Sequence, residues 1–213
     1  MPALPSSLST QRLDLRRYAA EDAAWYAAMA LRNRAHLARF ESGNAAMSIA
    51  SEADARAAIR TFGEMADAGK AAFLGVFRRQ DGAFVGQVYV GVGHPDLPGY
   101  LVGYFCDEAH LRQGYTVEAA AAVVATLFAD CDARRVGLWC DDTNLASQRI
   151  ARRLGMRREG HLRADKRHAD GTITGSLCYG LLREEFLTEE TLVAVQAGRP
   201  TAGTKSERSS RSK

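Results

Sequence analysis

The sequence predicts an α/β domain built around one sheet. Strand-like and helix-like segments are mixed along most of the chain, the mark of helices packed on a sheet. The run at 136–140 is short and almost continuously apolar, as in a strand buried on both faces. It follows a helical segment that itself follows a strand at 100–106, which is the arrangement of a crossover between parallel neighbours.

The elements follow in order. Residues 1–9 are rich in Pro and Ser and are expected to be loose. Leu13 and Leu15 alternate with Arg12, Asp14 and Arg16, the period of two of a half-buried strand. Residues 21–40 have helical spacing, with Trp25, Met29 and Leu37 among the apolar positions. A second helix is expected over 51–68, capped by Ser51 and ended by Gly69. Residues 73–77 and 84–92 read as strands, with Asp81-Gly82 as the hairpin signal between them. Pro95 and Pro98 break the chain before the strand at 100–106. A helix over 116–129, the strand at 136–140 and a helix over 145–154 ending at Gly155 come next. Strands at 156–163 and 177–182 close the domain, separated by a loop containing Asp170-Gly171.

Composition narrows the class. With 213 residues, 46% of them hydrophobic, the chain can bury one sizeable core, so a single domain is expected. Net charge is only +3, below what a general nucleic-acid binder carries. Much of the excess sits in the extension at 188–213, where Arg199, Lys205, Arg208, Arg211 and Lys213 lie among Ser, Thr and Gly. That composition reads as a disordered, solvated tail, with an arm touching RNA or a ribosome as the alternative. Cys106, Cys131, Cys140 and Cys178 form no C-x-x-C pair, so no zinc site, other metal or disulfide framework is expected. No signal run or bilayer-length apolar stretch is visible, and a reducing cytoplasm is the natural compartment.

Two junctions carry the chemistry. At Asp107 to Ala119 a strand gives way to a helix through Gln113-Gly114-Tyr115-Thr116. The first amides of a helix lack internal partners and attract anions, and Gly114 permits close approach. A single glycine before a helix also serves as an ordinary turn. The second junction, Asp142-Thr143-Asn144-Leu145-Ala146-Ser147, lies beyond the carboxyl end of the buried strand, where ligands gather in open α/β sheets. Taken singly, Asn144 is an ordinary helix cap and Ser147 an ordinary first-turn serine.

Together the junctions resemble a known family. Leu111 to Ala119 looks like the pyrophosphate-binding loop and helix start of the GNAT acetyltransferases. Asn144 to Met156, running Asn-x-x-Ser and closing on Leu154-Gly155-Met156, is similar to the corresponding segment of the RimJ/RimL-like branch. Weaker matches are Arg12 to Arg16, Asn33 to Leu37, Val85-Gly86-Gln87 and Tyr179 to Phe186, so that the resemblance spans about residues 10–187.

The resemblance implies a mixed, mostly antiparallel sheet with helices on both faces and one parallel strand pair that splays. Acetyl-CoA would lie in that gap as the cosubstrate, with no metal. Amides near Phe105, Cys106 and Asp107 would polarise the acetyl carbonyl. Amides of Arg112, Gln113, Gly114, Tyr115 and Thr116 would hold the pyrophosphate, and the Asn144 side chain would bind near the pantetheine. An amine would attack the thioester directly, with Ser147 as the proton donor or relay to the departing thiolate.

Two departures stand out. The family loop runs Arg/Gln-x-x-Gly-x-Gly/Ala, and here Leu111 and Thr116 stand at its ends, with Arg112 where glycine is common. Arg112 would offset the loss by pairing with a phosphate, or would simply be solvated. The second concerns the base. Many members carry a carboxylate on the strand matching 100–106, whereas its inward positions here are expected to be Leu101, Gly103 and Phe105. An α-amine is roughly 10–20% neutral at pH 7 and a lysine about 0.04%, so a site lacking a strong base favours the former. Asp165, in the loop expected after Arg163, is the alternative base, and the polar groups of the segments that would set the acceptor cleft (Glu41, Asp165, Asp170) face either an amine or only water. Trp139 is expected in the core, and Trp25 and Phe40 either in the core or along that cleft.

The expectation is therefore an N-acetyltransferase acting on a primary amine, with a protein N-terminus favoured. A non-catalytic CoA-binding sensor and a small-molecule acetyltransferase are the alternatives. The chain would act as a monomer or homodimer, without membrane or nucleic-acid partners except through the tail.

Overall fold

The computed structural model describes residues 3–94 and 97–186. Eight strands form one sheet: β1 (Ser7–Ser9), β2 (Leu13–Arg17), β3 (Ala71–Arg78), β4 (Phe84–His94), β5 (Gly99–Cys106), β6 (Arg135–Asp141), β7 (Arg157–Arg167) and β8 (Ile173–Leu182). The helices are α1 (Ala23–Ala38), α2 (Glu52–Asp67), α3 (Tyr115–Asp130), α4 (Leu145–Arg153) and the single turn α5 (Arg183–Phe186). The spatial order is β1-β2-β3-β4-β5-β6-β8-β7. Every neighbouring pair is antiparallel except β5 and β6.

Two apolar cores, one on each face, hold the helices to the sheet. On one face α3 buries Ala119, Val123 and Leu127 against Leu74, Val88, Val102 and Leu138. The alanines of α3 are buried nearly all round, which lets this helix lie close to the strands. On the other face α1 and α2 bury Tyr26, Met29, Leu37, Ile59 and Phe62 with Phe84 and Phe105. Ser51 caps α2 by accepting from the Asp54 amide at 3.2 Å, as its position in the sequence predicts.

Two features differ from the sequence-based expectation. Residues 7–9, expected to be loose, pair with β2 in the register Ser7↔Arg16, Leu8↔Leu15 and Ser9↔Asp14, and Leu4 is buried. β7 continues past Arg163 through a shift in register between Leu162 and Lys166, where Ala164 takes φ +55°. The expected basic tail at 188–213 lies outside the described residues.

The feature that positions the site is the parallel pair. β5 and β6 pair only through Gly99↔Arg135, Tyr100↔Val136 and Leu101↔Gly137. Beyond those rungs each strand keeps its outer partner, β4 on one side and β8 on the other, down to Cys106 and Asp141. The two strands therefore part and leave a wedge-shaped gap, as the family resemblance implies.

Candidate active site

A cavity of about 480 Å³ opens at the wedge, within the range of small-molecule sites. Val102, Gly103 and Tyr104 of β5 face Leu138, Trp139 and Cys140 of β6 across it. Asn144 and Ser147 come from the start of α4, and Phe40, Glu41 and Asn44 from the segment after α1. Lys166 of β7 completes this side.

At the end of β5 the Asp107 amide donates to the Val85 carbonyl at 3.0 Å. Amides alternate in direction along a strand, so those of Cys106 and Tyr104 turn towards the gap while those of Phe105 and Asp107 turn towards β4. Of the three amides at 105–107, Cys106 alone is thus aimed at the gap. Phe105 is 5% exposed and packs in the α1/α2 core. Asp107 is buried and serves as an anchor. Its carboxylate pairs with Arg32, accepts from Asn33 Nδ2 at 3.2 Å and caps Ala109 at 3.0 Å. Burial pushes this carboxyl upward, but Arg32, the Ala109 amide and Asn33 outweigh that and hold it below its usual value. Asn33 Oδ1 also accepts from the Glu108 amide at 2.9 Å, so α1 fastens the chain as it leaves β5.

The loop from Leu111 to Gly114 then turns into α3. Arg112 has φ +62° and Gly114 φ +79°, both left-handed. Gly114 is the N-cap of α3 and offers no side-chain cap to the first amides. Those of Tyr115 and Thr116 thus begin a helix whose terminus is open to an anion. Arg112 adopts the backbone angle that glycine supplies freely, at a cost of about 1 kcal/mol. Arg12 braces the loop: it donates to the Gln113 carbonyl at 3.2 Å, pairs with Glu118 at 2.6 Å and lies over the Tyr115 ring at 4.8 Å. Burial raises the Cys106 thiol, with the Thr116 hydroxyl partly offsetting this, and the thiol donates to the Val85 and His110 carbonyls at 3.5 and 3.4 Å.

Asn144 caps α4, its Oδ1 accepting from the Ser147 amide at 3.0 Å. Its amide nitrogen remains for the cavity that Asn144 lines. Ser147 is buried, with Oγ 3.0 Å from Tyr104 Oη. The sequence reading missed Tyr104. Burial pushes its phenol well above the usual range, so it stays protonated, and either hydroxyl of the pair can donate to the other.

The acids distribute differently from expectation. Leu101 is exposed, Gly103 lines the cavity and Phe105 is in the core, so no acid of β5 enters the cavity. Asp165 is exposed on the irregular part of β7 and is not among the cavity residues, whereas its neighbour Lys166 is. The strand runs through this position, which is why the expected loop carboxylate is absent from the site. Glu41 is in the cavity. Burial raises its carboxyl to about 7, with Asn44 and Lys166 pulling the other way. Asp170 is held low by Thr172 at the turn between β7 and β8. Trp139, expected in the core, is 57% exposed and lines the cavity, because the α1/α2 core takes in β4 and β5 residues and none of β6. Phe40 lines the cavity, while Trp25 packs in the α1/α2 core and donates to Asp22 at 2.9 Å.

A second polar cluster stiffens the end of β6. Asp141 accepts from the Thr143 and Thr174 hydroxyls, each at 2.6 Å, and lies 3.0 Å from His168 Nε2. Burial opposes its charge, but these partners hold the carboxyl at about 2. Among the described residues no cluster of His, Cys, Asp or Glu has the makings of a metal site, and no helix is long and apolar enough to cross a membrane.

Comparison with known proteins agrees with this geometry. The family model of the acetyltransferase (GNAT) domain matches residues 12–157, more than half of the chain. An uncharacterized N-acetyltransferase, YnaD of Bacillus subtilis (strain 168), is 33% identical over 61 residues, which cover 29% of this chain and 36% of YnaD. The match thus spans little more than a third of that relative's length. The structure of Mycobacterium smegmatis RimJ in complex with CoA-disulfide superposes with a TM-score of 0.80 at 23% identity, covering 93% of this chain and 97% of RimJ. RimL, a ribosomal L7/L12 alpha-N-protein acetyltransferase solved with coenzyme A, gives a TM-score of 0.74 at 20% identity over 81% of this chain and 94% of its own. With a family match over most of the domain and the splayed strand pair in place, the chain belongs to the GNAT acetyltransferase family.

Proposed function

We propose that the chain is an acetyl-CoA-dependent N-acetyltransferase acting on a primary amine, with a protein N-terminal α-amine as the acceptor. The observation that carries the reading is the Ser147–Tyr104 hydroxyl pair, 3.0 Å apart on the two sides of the wedge between β5 and β6.

Acetyl-CoA, when bound, supplies the acetyl group as a thioester. The residues present fit it. The open terminus of α3, capped only by Gly114, offers amides of Tyr115 and Thr116 to a pyrophosphate. Arg112 keeps the left-handed path that glycine gives in this loop and adds a cation. The Cys106 and Tyr104 amides, free of β4, face the gap where a pantetheine arm pairs with strand backbone and an acyl oxygen accepts. Asn144, already the α4 cap, has donors left for the same arm. Ser147 passes a proton to the departing sulfur, with the Tyr104 hydroxyl 3.0 Å away as its hydrogen-bond partner. That pairing makes Ser147 a relay rather than a strong acid.

Two lines favour an α-amine. RimL, which shares the fold, is an alpha-N-protein acetyltransferase. The cavity also lacks an acid on β5 of the kind needed to deprotonate a lysine, and it carries the cation Lys166. An α-amine has a pKa near 8 and a lysine about 10.4, so the second demands about 3.5 kcal/mol more for deprotonation.

The test is thiol release from acetyl-CoA across peptides with free N-termini, N-blocked peptides with internal lysines, polyamines and amino sugars. Turnover confined to free N-termini is expected. Turnover only with lysines, polyamines or sugars would refute the acceptor, and none with any amine would refute the enzyme.

A further inference from the structure

We propose that Glu41, carried into the cavity by the segment that follows α1, is the base that takes the proton from the acceptor amine, replacing the carboxylate that β5 lacks. The inference rests on the acetyltransferase reading and gives a role to a residue that the sequence placed only near the acceptor cleft.

The Glu41 amide donates to the Leu37 carbonyl at 2.7 Å, and the Asn44 amide donates to the Glu41 carbonyl at 2.8 Å. The backbone is thus held by the last turn of α1 on one side and the next turn on the other. The side chain lines the same cavity as Ser147 and Tyr104, but it reaches that cavity from the α1 side, whereas Ser147 comes from α4. A proton acceptor and a proton donor therefore flank the point where an amine meets an acyl group. Aromatic rings of Phe40, Phe73 and Tyr89 line that side, which leaves Glu41 poorly solvated.

The groups facing Glu41 are few. Asn44 donates from its own segment and Lys166 approaches from β7, both favouring the carboxylate. Tyr104 of β5 feels its charge. On β6, Cys140 is held neutral by burial, and Asp141 is occupied by Thr143, Thr174 and His168. Burial outweighs these partners and brings the carboxyl close to neutrality, to about 7. A base of that strength lies about one unit below an α-ammonium and more than three below a lysine. It accepts a proton from the first readily and from the second at a cost several kcal/mol higher, which agrees with an α-amine acceptor.

The step balances. Glu41 takes one proton from the ammonium, and the nitrogen lone pair so freed forms the N–C bond to the acetyl carbon. The C–S bond breaks, its electron pair goes to sulfur, and Ser147 delivers the proton that makes the thiol. The second nitrogen proton restores the hydroxyl relay.

The experiment uses the full chain, Glu41→Gln and Glu41→Asp, with two acceptors: one protonated at pH 7 and one of low amine pKa that is already neutral there. For the protonated acceptor, Glu41→Gln is expected to lower kcat/KM by about 100-fold or more and to remove the rise of the pH profile near 7. The loss should be far smaller for the neutral acceptor, acetyl-CoA affinity by calorimetry should stay within about twofold, and Glu41→Asp should keep the rise. Equal losses for both acceptors, or a profile that Glu41→Gln leaves unchanged, would overturn the role of Glu41 while the acetyltransferase reading stands. A wild-type chain that releases no thiol with either acceptor would overturn both.

Discussion

Glu41 carries a stability cost that can be measured without any substrate. Its carboxyl rises from an ordinary 4.5 to about 7 in the folded chain, chiefly through burial. At about 1.4 kcal/mol per pH unit, the folded protein is about 3 kcal/mol less stable with Glu41 ionised than with a neutral group of the same shape. The sign follows from proton counting. Between 4.5 and 7 the folded state holds a proton on Glu41 that the unfolded state has released, so this contribution is full below about 4.5 and is lost as pH rises through 7. Glu41→Gln supplies the neutral group permanently. Urea unfolding of both proteins from pH 4.5 to 8.5 should show nearly equal stabilities at the acid end. The variant should become more stable as pH rises, approaching about 3 kcal/mol by pH 8. A difference that stays flat across this range, or a variant less stable at pH 8, would refute a half-buried Glu41 of raised pKa and with it the match between base and acceptor.

Three further outcomes follow from the site. Ser147→Ala should lower kcat by about 10²-fold while leaving acetyl-CoA affinity nearly unchanged, and Tyr104→Phe should do the same more weakly; unchanged turnover in steady-state kinetics would remove the pair from the mechanism. Asp107→Ala should cost about 2 kcal/mol in denaturant unfolding at pH 7, because Arg32, the Ala109 amide and Asn33 lose their shared acceptor. As the Asp107 carboxyl is held below its usual 3.8, that difference should be present above about pH 4 and shrink as pH falls through the folded value. Arg112→Gly should relieve the left-handed strain at φ +62°, raising Tm by about 1–2 °C after the entropy of glycine is counted. It should also weaken CoA binding and leave pantetheine binding untouched; a lower Tm would contradict the strain assignment.

Most of the fold was legible because its signals are local. Leu13 and Leu15 with their charged neighbours mark β2, Ser51 marks the start of α2, and the apolar run at 136–140 marks β6. β1 was not legible: Ser7-Leu8-Ser9 is too short to show a period, and only pairing with β2 makes it a strand. The site divides in the same way. Asn144 and Ser147 could be placed together from the sequence because one helix start holds both at fixed spacing, and both line the cavity. Tyr104 looked like any aromatic strand residue, and its pairing with Ser147 depends on α4 bringing that hydroxyl within 3.0 Å. The lining by Lys166 rather than Asp165 turns on a register shift in β7, which side-chain patterns do not encode. The exposure of Trp139 depends on where the α1/α2 layer stops, a property of helix packing and not of β6.

The most direct test of the central claim is calorimetric titration of the full chain with acetyl-CoA, paired with desulfo-CoA. Binding of both at micromolar concentrations, abolished by excess CoA, is the result expected of a loop that keeps its path through Arg112 and an open wedge between β5 and β6. Failure of either ligand to bind at millimolar concentration would contradict the assignment of that wedge as an acetyl-CoA site.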